Sequence, residues 1–270
     1  MIKKLIVLLP VIFLGCNQNA KSEDQDTYNE IVLDDKQEAF INSNSQTIKE
    51  RFNPEDGFQR ESYSSEEFGY FLQHLPLKEI NAKVLYYDGN EKSIDNVYNS
   101  VIDLPIGTKD LHQCADATMR LRADYLYQQN RYNEIAFNFL SDGKPRDYLT
   151  YANGDFSTEK YWQYLEHIFN YANTASLKNQ LRTVSYNEVK IGDILIQKGN
   201  PYGHAVIVVD LITDGTTKKV LLAQSYMPAQ ELQILVNPLN ENGSPWYEVK
   251  EGEIITPEWR FTSNDWKTWE

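Results

Sequence analysis

The last third of this 270-residue chain constrains its fold most strongly. In "EVKIGDILIQKGNPYGHAVIVVDL", residues 188–211, a Gly192-Asp193 turn leads into one strand. After a loop, Gly203-His204 opens a second strand that is apolar almost throughout. The pattern predicts strands at 192–198, 204–211, 219–225 and 231–236, separated by the turn sequences "KGNPYG", "TDGTTK" and "MPAQ". Upstream, "FSTEKYWQYLEHIFNYA" predicts a helix over 157–172 with Ser157 as its cap; Tyr161, Leu165, Ile168, Phe169 and Ala172 line one face. Between 133 and 140 Ile135, Phe137 and Phe139 alternate as in a strand, before an Asp142-Gly143 turn. Helices first and a β-block last make an α+β layout.

The first sixteen residues, "MIKKLIVLLPVIFLGC", set Lys3 and Lys4 before an apolar run that ends at Gly15-Cys16. The run is too short to span a bilayer and reads as a secretory signal. Its end resembles the cleavage and acylation site of bacterial lipoproteins, with Cys16 as the lipid-bearing residue. The organisation expected is a signal over 1–15, a lipid anchor and polar tether over 16–50, and a single domain over 51–270. Loss of residues 1–15 reduces 26 basic residues to 24 against 39 acidic ones, a net charge of −15. So acidic a chain is poorly suited to nucleic acid or to an anionic lipid surface. An extracytoplasmic protein held to a bacterial membrane by lipid, the outer membrane above all, is the expected setting.

Lipidation of Cys16 would leave Cys114 as the one free thiol of a chain with two cysteines. "KDLHQCADATMRLRADYLY", residues 109–127, reads as a helix capped by Asp110, with Gln113 completing a capping box. Cys114 then lies in the first turn, near the positive end of the helix dipole, where a thiolate is favoured. His204, at a strand entrance beside Gly203, is placed to act as a general base. Gln224 interrupts the apolar run "KVLLAQSYMPAQ"; its carbonyl can accept from the far nitrogen of a histidine ring.

Cysteine on a helix, then "GD" with a strand, then "GH" with an apolar strand, then a polar residue on the next strand resembles the NlpC-type and CHAP-type branches of the papain-like superfamily. Those are cysteine amidases and endopeptidases, many acting on cell-wall peptides. The resemblance covers about 105–236. It implies a papain-like core in which the helix bearing the cysteine packs on an antiparallel β-sheet. It also implies Cys114 as nucleophile, His204 as base and Gln224 as the orienting residue, with the Cys114 backbone N–H as one oxyanion donor. Over nearly all of 50–270 the chain also resembles a family of bacterial lipoproteins known only as a domain of unknown function. "DLHQCADATMRLRADYLY", "GHAVIVVD", "LLAQSYMPAQ" and "PEWRF" carry that likeness.

His112, two residues before Cys114, is expected at the surface, His167 on the polar face of its helix and His74 at a helix end. Asp116 and Arg120 are spaced to pair along the helix. With no CxxC, HExxH, acidic calcium loop or glycine-rich phosphate loop, neither a metal nor another cofactor is indicated. The tail is rich in tryptophan; Trp246 and Trp259 are candidates to wall a cleft, although such residues more often clamp a terminus to the core. Two readings follow. One is a lipid-anchored cysteine amidase or peptidase acting on a cell-wall peptide. The other is a non-catalytic envelope lipoprotein that binds glycan, peptide or protein through an aromatic cleft. A purely structural envelope protein would leave the Cys/His arrangement unexplained.

Overall fold

The computed structural model describes residues 39–269, all of which belong to one unit. Cys16, the signal over 1–15 and most of the tether lie outside the described residues. In chain order the strands are β1 (Gln59–Arg60), β2 (Tyr98–Val101), β3 (Ala136–Asn138), β4 (Pro145–Asp147), β5 (Arg182–Thr183), β6 (Ile194–Gln197), β7 (His204–Thr213), β8 (Lys218–Gln224), β9 (Gln233–Leu235), β10 (Tyr247–Glu248), β11 (Glu253–Ile255), β12 (Arg260–Thr262) and β13 (Trp266–Thr268). The layout is mixed α+β around a large antiparallel sheet, as the order of patterns predicts. All four strands of the predicted β-block form, each within two residues of its expected limits. The predicted 133–140 strand is shorter: Tyr132–Glu134 makes a 3-10 turn, and only Ala136–Asn138 pairs, with β4.

The main sheet runs β2-β9-β8-β7-β6-β13-β5, with β1 added to β7 and β10 to β8. Its axis is β7, ten residues long and buried on both faces for nine of them. β8 occupies one edge of β7, while β6 pairs with its start and β1 with its end. A strand covered on both faces needs apolar residues at successive positions rather than alternate ones, which is why "AVIVV" is continuous. One charge interrupts the run. Asp210 sits at a register shift, fully buried, and accepts from Arg60 Nε at 2.7 Å, Gln73 Nε2 at 2.8 Å and the Leu211 N–H at 2.9 Å. A buried carboxylate keeps its charge only with such partners.

The Cys114–Gln128 helix packs against β7. The Thr158–Tyr171 helix begins as predicted, with Ser157 Oγ accepting from the Lys160 N–H at 3.2 Å. The C-terminal segment closes the sheet by inserting β13 between β6 and β5, with Trp266 buried. Trp246 is also buried, its Nε1 donating to the carbonyl of Asn53 at 2.9 Å. It therefore packs in the core, and the expectation that it walls a cleft is corrected.

The domain boundary expected at residue 50 moves toward the N-terminus. Ile41, Ile48 and Phe52 are buried in the core, and the Ile48–Arg51 helix places Arg51 Nε 2.9 Å from the carbonyl of Ser45. The polar residues around Ile41 and Ile48 conceal two anchors spaced seven apart. If this segment belongs to the folded unit, Ile48→Ala should cost about 2–4 kcal/mol in chemical denaturation, whereas a residue of a solvated tether would leave the midpoint unchanged.

Candidate functional site

The local start of the cysteine helix differs from the sequence expectation. The cap is Gln113, not Asp110, and Cys114 is the first helical residue. Asp116, at the third helical position, accepts from the Gln113 backbone N–H at 3.1 Å. Asp110 instead ties the preceding turn down, its Oδ1 accepting from Gln113 Nε2 at 3.1 Å and from the Ala229 N–H at 2.7 Å. The Ser225 hydroxyl donates to the carbonyl of His112 at 2.8 Å. Both links join the helix start to the segment directly after β8, so the chain beside Cys114 and the chain beside Gln224 are held together. Asp116 is thus a capping residue. Arg120 pairs with Asp124 at 3.2 Å rather than with Asp116, and it also bonds the carbonyl of Pro105.

His204 is the first residue of β7. From the pairing of Ile207 with Ala223 and of Val208 with Leu222, Gln224 lies diagonally across from His204 on the same face of the sheet. Long side chains bridge that diagonal, and His204 Nε2 lies 2.8 Å from Gln224 Oε1. Cys114 arrives from the helix and sets Sγ 4.0 Å from the carbonyl oxygen of Gly203, the residue before His204. A methyl group on Gly203 would lie 2.2 Å from the Gln197 carbonyl and 2.6 Å from Thr174 Oγ1, so only glycine permits this close passage. The structure therefore sets Cys114 beside the backbone of the residue before His204, and joins His204 to Gln224. Cys114 and Gly203 line a cleft of about 310 Å³, whereas the His204 and Gln224 side chains are not among its lining. Gln113, Cys114, Asp116, Asn173, Tyr202 and Gly203 are among its lining residues.

The electrostatics depart from the expected thiolate. Burial pushes the Cys114 thiol up to about 12, and the neighbouring Asp116 acts in the same direction. The backbone N–H of Ala205 in β7 and those of Ala115 and Cys114 at the helix start pull it down, but desolvation outweighs them. Burial likewise depresses His204 to about 4; the Gln224 hydrogen bond raises it and the Lys92 cation lowers it. At neutral pH the resting pair is a thiol and a neutral imidazole.

Around the ring lie Trp259, a candidate from the sequence, and residues that the sequence reading did not assign. Tyr226 meets it edge-on at 4.8 Å, and Phe261 lies near-parallel to it at 5.8 Å. Trp259, half-buried, lies 5.3 Å from the ring and donates through Nε1 to Gln197 Oε1 at 3.0 Å. Of the two candidate tryptophans, only Trp259 belongs to the site. Behind Gln224, Nε2 donates to Glu258 Oε2 at 2.6 Å, and the same oxygen accepts from Lys92 Nζ at 2.8 Å. "PEWRF" held the signal for Glu258, Trp259 and Phe261, whereas Lys92 sits in the polar sequence "GNEKSI" with nothing to mark it as buried. Among the described residues no group of His, Cys, Asp and Glu is arranged to hold a metal ion, and no helix is long and apolar enough to cross a membrane.

His112, expected at the surface, is buried with its ring 5.8 Å from Phe169. Desolvation, aided by the Arg120 cation, depresses it to about 3. Its folded value is below the unfolded one, so the stability it permits is full above about pH 6.5 and is lost as pH falls toward 3. His112→Leu should resist acid better than the wild type, gaining up to about 3 kcal/mol relative to it between pH 7 and pH 4 in urea titrations. Equal pH dependence of the two proteins would show that this ring is not buried neutral.

No curated protein and no solved structure matches the chain. A family model described as "Domain of unknown function (4846)" matches it in two overlapping stretches, residues 48–158 and 154–268. The match spans both the helix that carries Cys114 and the strands that carry His204 and Gln224, and it begins close to the onset of the buried core. The chain belongs to this domain family.

Proposed function

We propose that the protein is a lipid-anchored, extracytoplasmic cysteine amidase or peptidase with a papain-like core, acting on a cell-wall peptide. The observation that carries the reading is the Cys114 helix start abutting the His204 end of β7, with the ring held by Gln224 at 2.8 Å. The likeness of the sequence motifs to the NlpC and CHAP branches supports it, as does the leader ending at Cys16.

In this reaction the neutral pair is the resting state. An amide enters the cleft, Cys114 Sγ attacks its carbonyl carbon, and the thiol proton passes to His204 Nδ1, the nitrogen that Gln224 leaves free. The carbonyl oxygen gains negative charge beside the Cys114 backbone N–H at the helix start. His204 then returns the proton to the leaving amine as the C–N bond breaks, leaving a thioester. Water, deprotonated by His204, hydrolyses the thioester and restores the thiol. The imidazolium formed on the way donates through Nε2 to Gln224 Oε1, which stabilises the charge without adding one.

The strongly raised thiol favours one rival, a non-catalytic binding protein in which Cys114 is an inert core residue. Iodoacetamide alkylation in a Cys16→Ser background, where Cys114 is the one thiol, separates the two. A thiol served by His204 should react at a rate that is level from about pH 5 to pH 9 and declines as the ring protonates near 4. His204→Ala should follow free thiolate instead, rising about tenfold per pH unit across that range. Coincident profiles of wild type and variant, both folded, would overturn the enzyme reading. On cell-wall peptides, Cys114→Ser should abolish turnover, and His204→Ala should lower it by roughly 10²–10⁴-fold.

A further inference from the structure

Behind the proposed pair is a second, buried layer that the proposed chemistry does not by itself require. Lys92 is almost fully inaccessible, and the Glu258 side chain is mostly covered, at 12% exposed. Ion pairs of this kind are costly to bury, and a pair of apolar residues would fill the space with no desolvation penalty. This one is placed where Gln224 Nε2 must go. The Glu258 carboxylate oxygen can only accept, so the Gln224 end facing it must be the amide nitrogen. The other end, Oε1, then faces His204 and can also only accept. His204 Nε2 must therefore carry the proton. Nδ1 is left with its lone pair.

Resting on the amidase reading, we propose that Glu258 and Lys92 are positioning residues that fix the tautomer of His204 through the Gln224 amide. Lys92 holds Glu258 as an acceptor, Glu258 fixes which way the amide points, and the amide decides which ring nitrogen is the base. A glutamine without this backing can turn its NH₂ toward the ring, which would move the proton to Nδ1 and leave the thiol without a base. The supports come from distant parts of the chain. Lys92 precedes β2, while Glu258 sits in the turn between β11 and β12, where the Thr256 backbone N–H bonds the Trp259 carbonyl at 2.9 Å. Trp259 and Phe261 of the same hairpin cover the ring and keep solvent from competing for these bonds.

The test is the ¹⁵N spectrum of the His204 ring in the full chain, which has four histidines assignable by single substitution. The wild type should show one tautomer, protonated at Nε2, through neutral pH. Removing Glu258 alone would strand a buried lysine, so the informative variant is Lys92→Met with Glu258→Gln, in which an amide at 258 can present either end. It should show both tautomers and an alkylation plateau lowered roughly tenfold or more. Glu258→Asp keeps a charge beside Lys92 while withdrawing the arm that reaches Gln224, and it should release the ring in part even if the double variant does not fold. A wild-type ring protonated at Nδ1, or a folded variant that keeps the wild-type ring spectrum, would overturn the proposal. Ring release in the variants without any plateau in the wild type would uphold the positioning and sink the amidase reading instead.

Discussion

The molecule is organised around the burial of β7 on both faces. Once a ten-residue strand is placed at the centre of an antiparallel sheet, each of its edges must be paired and each face covered. β8 takes one edge, β6 and β1 share the other, and the cysteine helix lies against the strand. Asp210 is the one charge admitted into this strand, and its cost is offset by Arg60 and Gln73, which arrive from β1 and the Phe68–Gln73 helix. The strand's first residue is His204, so the same packing that stabilises the fold sets the Gly203-His204 backbone against the start of the cysteine helix.

The site is assembled with little help from exposed charge. Cys114 and His204 are both held neutral by desolvation, which overrides the pull of the helix-start N–H groups on the thiol. On the proposed amidase reading, such a pair works by proton transfer rather than from a standing thiolate. On that reading an amide suits the orienting role, because Gln224 supports the ring without placing a further negative charge beside a thiol that Asp116 already disfavours as an anion. Charge is kept one layer back, where Glu258 and Lys92 neutralise each other.

Much of this was legible in the chain. The β-block and the Ser157-capped helix follow from apolar periodicity and from a capping residue, while the pairing of His204 with Gln224 accords with what the family resemblance implies. The cap of the cysteine helix was misread because Asp110 and Gln113 both satisfy a capping pattern, and only the backbone course selects between them. His112 and Trp246 were misplaced for a related reason. Neither sits in a periodic stretch, so its burial is decided by residues far away, Phe169 for one and Asn53 for the other. Ile41 and Ile48 were hidden by polar neighbours, since a short helix and one bridge do not generate a long repeat.

The sequence by itself determined the local matters: where strands and helices form, that the β-block is central, and which polar residues stand inside apolar runs. These depend on neighbours within a few positions, through backbone preference and the alternation of side chains. The tertiary structure alone decided the protonation of Cys114 and His204, the place of Trp259 against the ring, and the convergence of Lys92 and Glu258 behind Gln224. Desolvation and hydrogen-bond direction are properties of everything that surrounds an atom. At this site Cys114 meets Gly203 across 89 residues of chain and Lys92 meets Glu258 across 166, separations that no local pattern records.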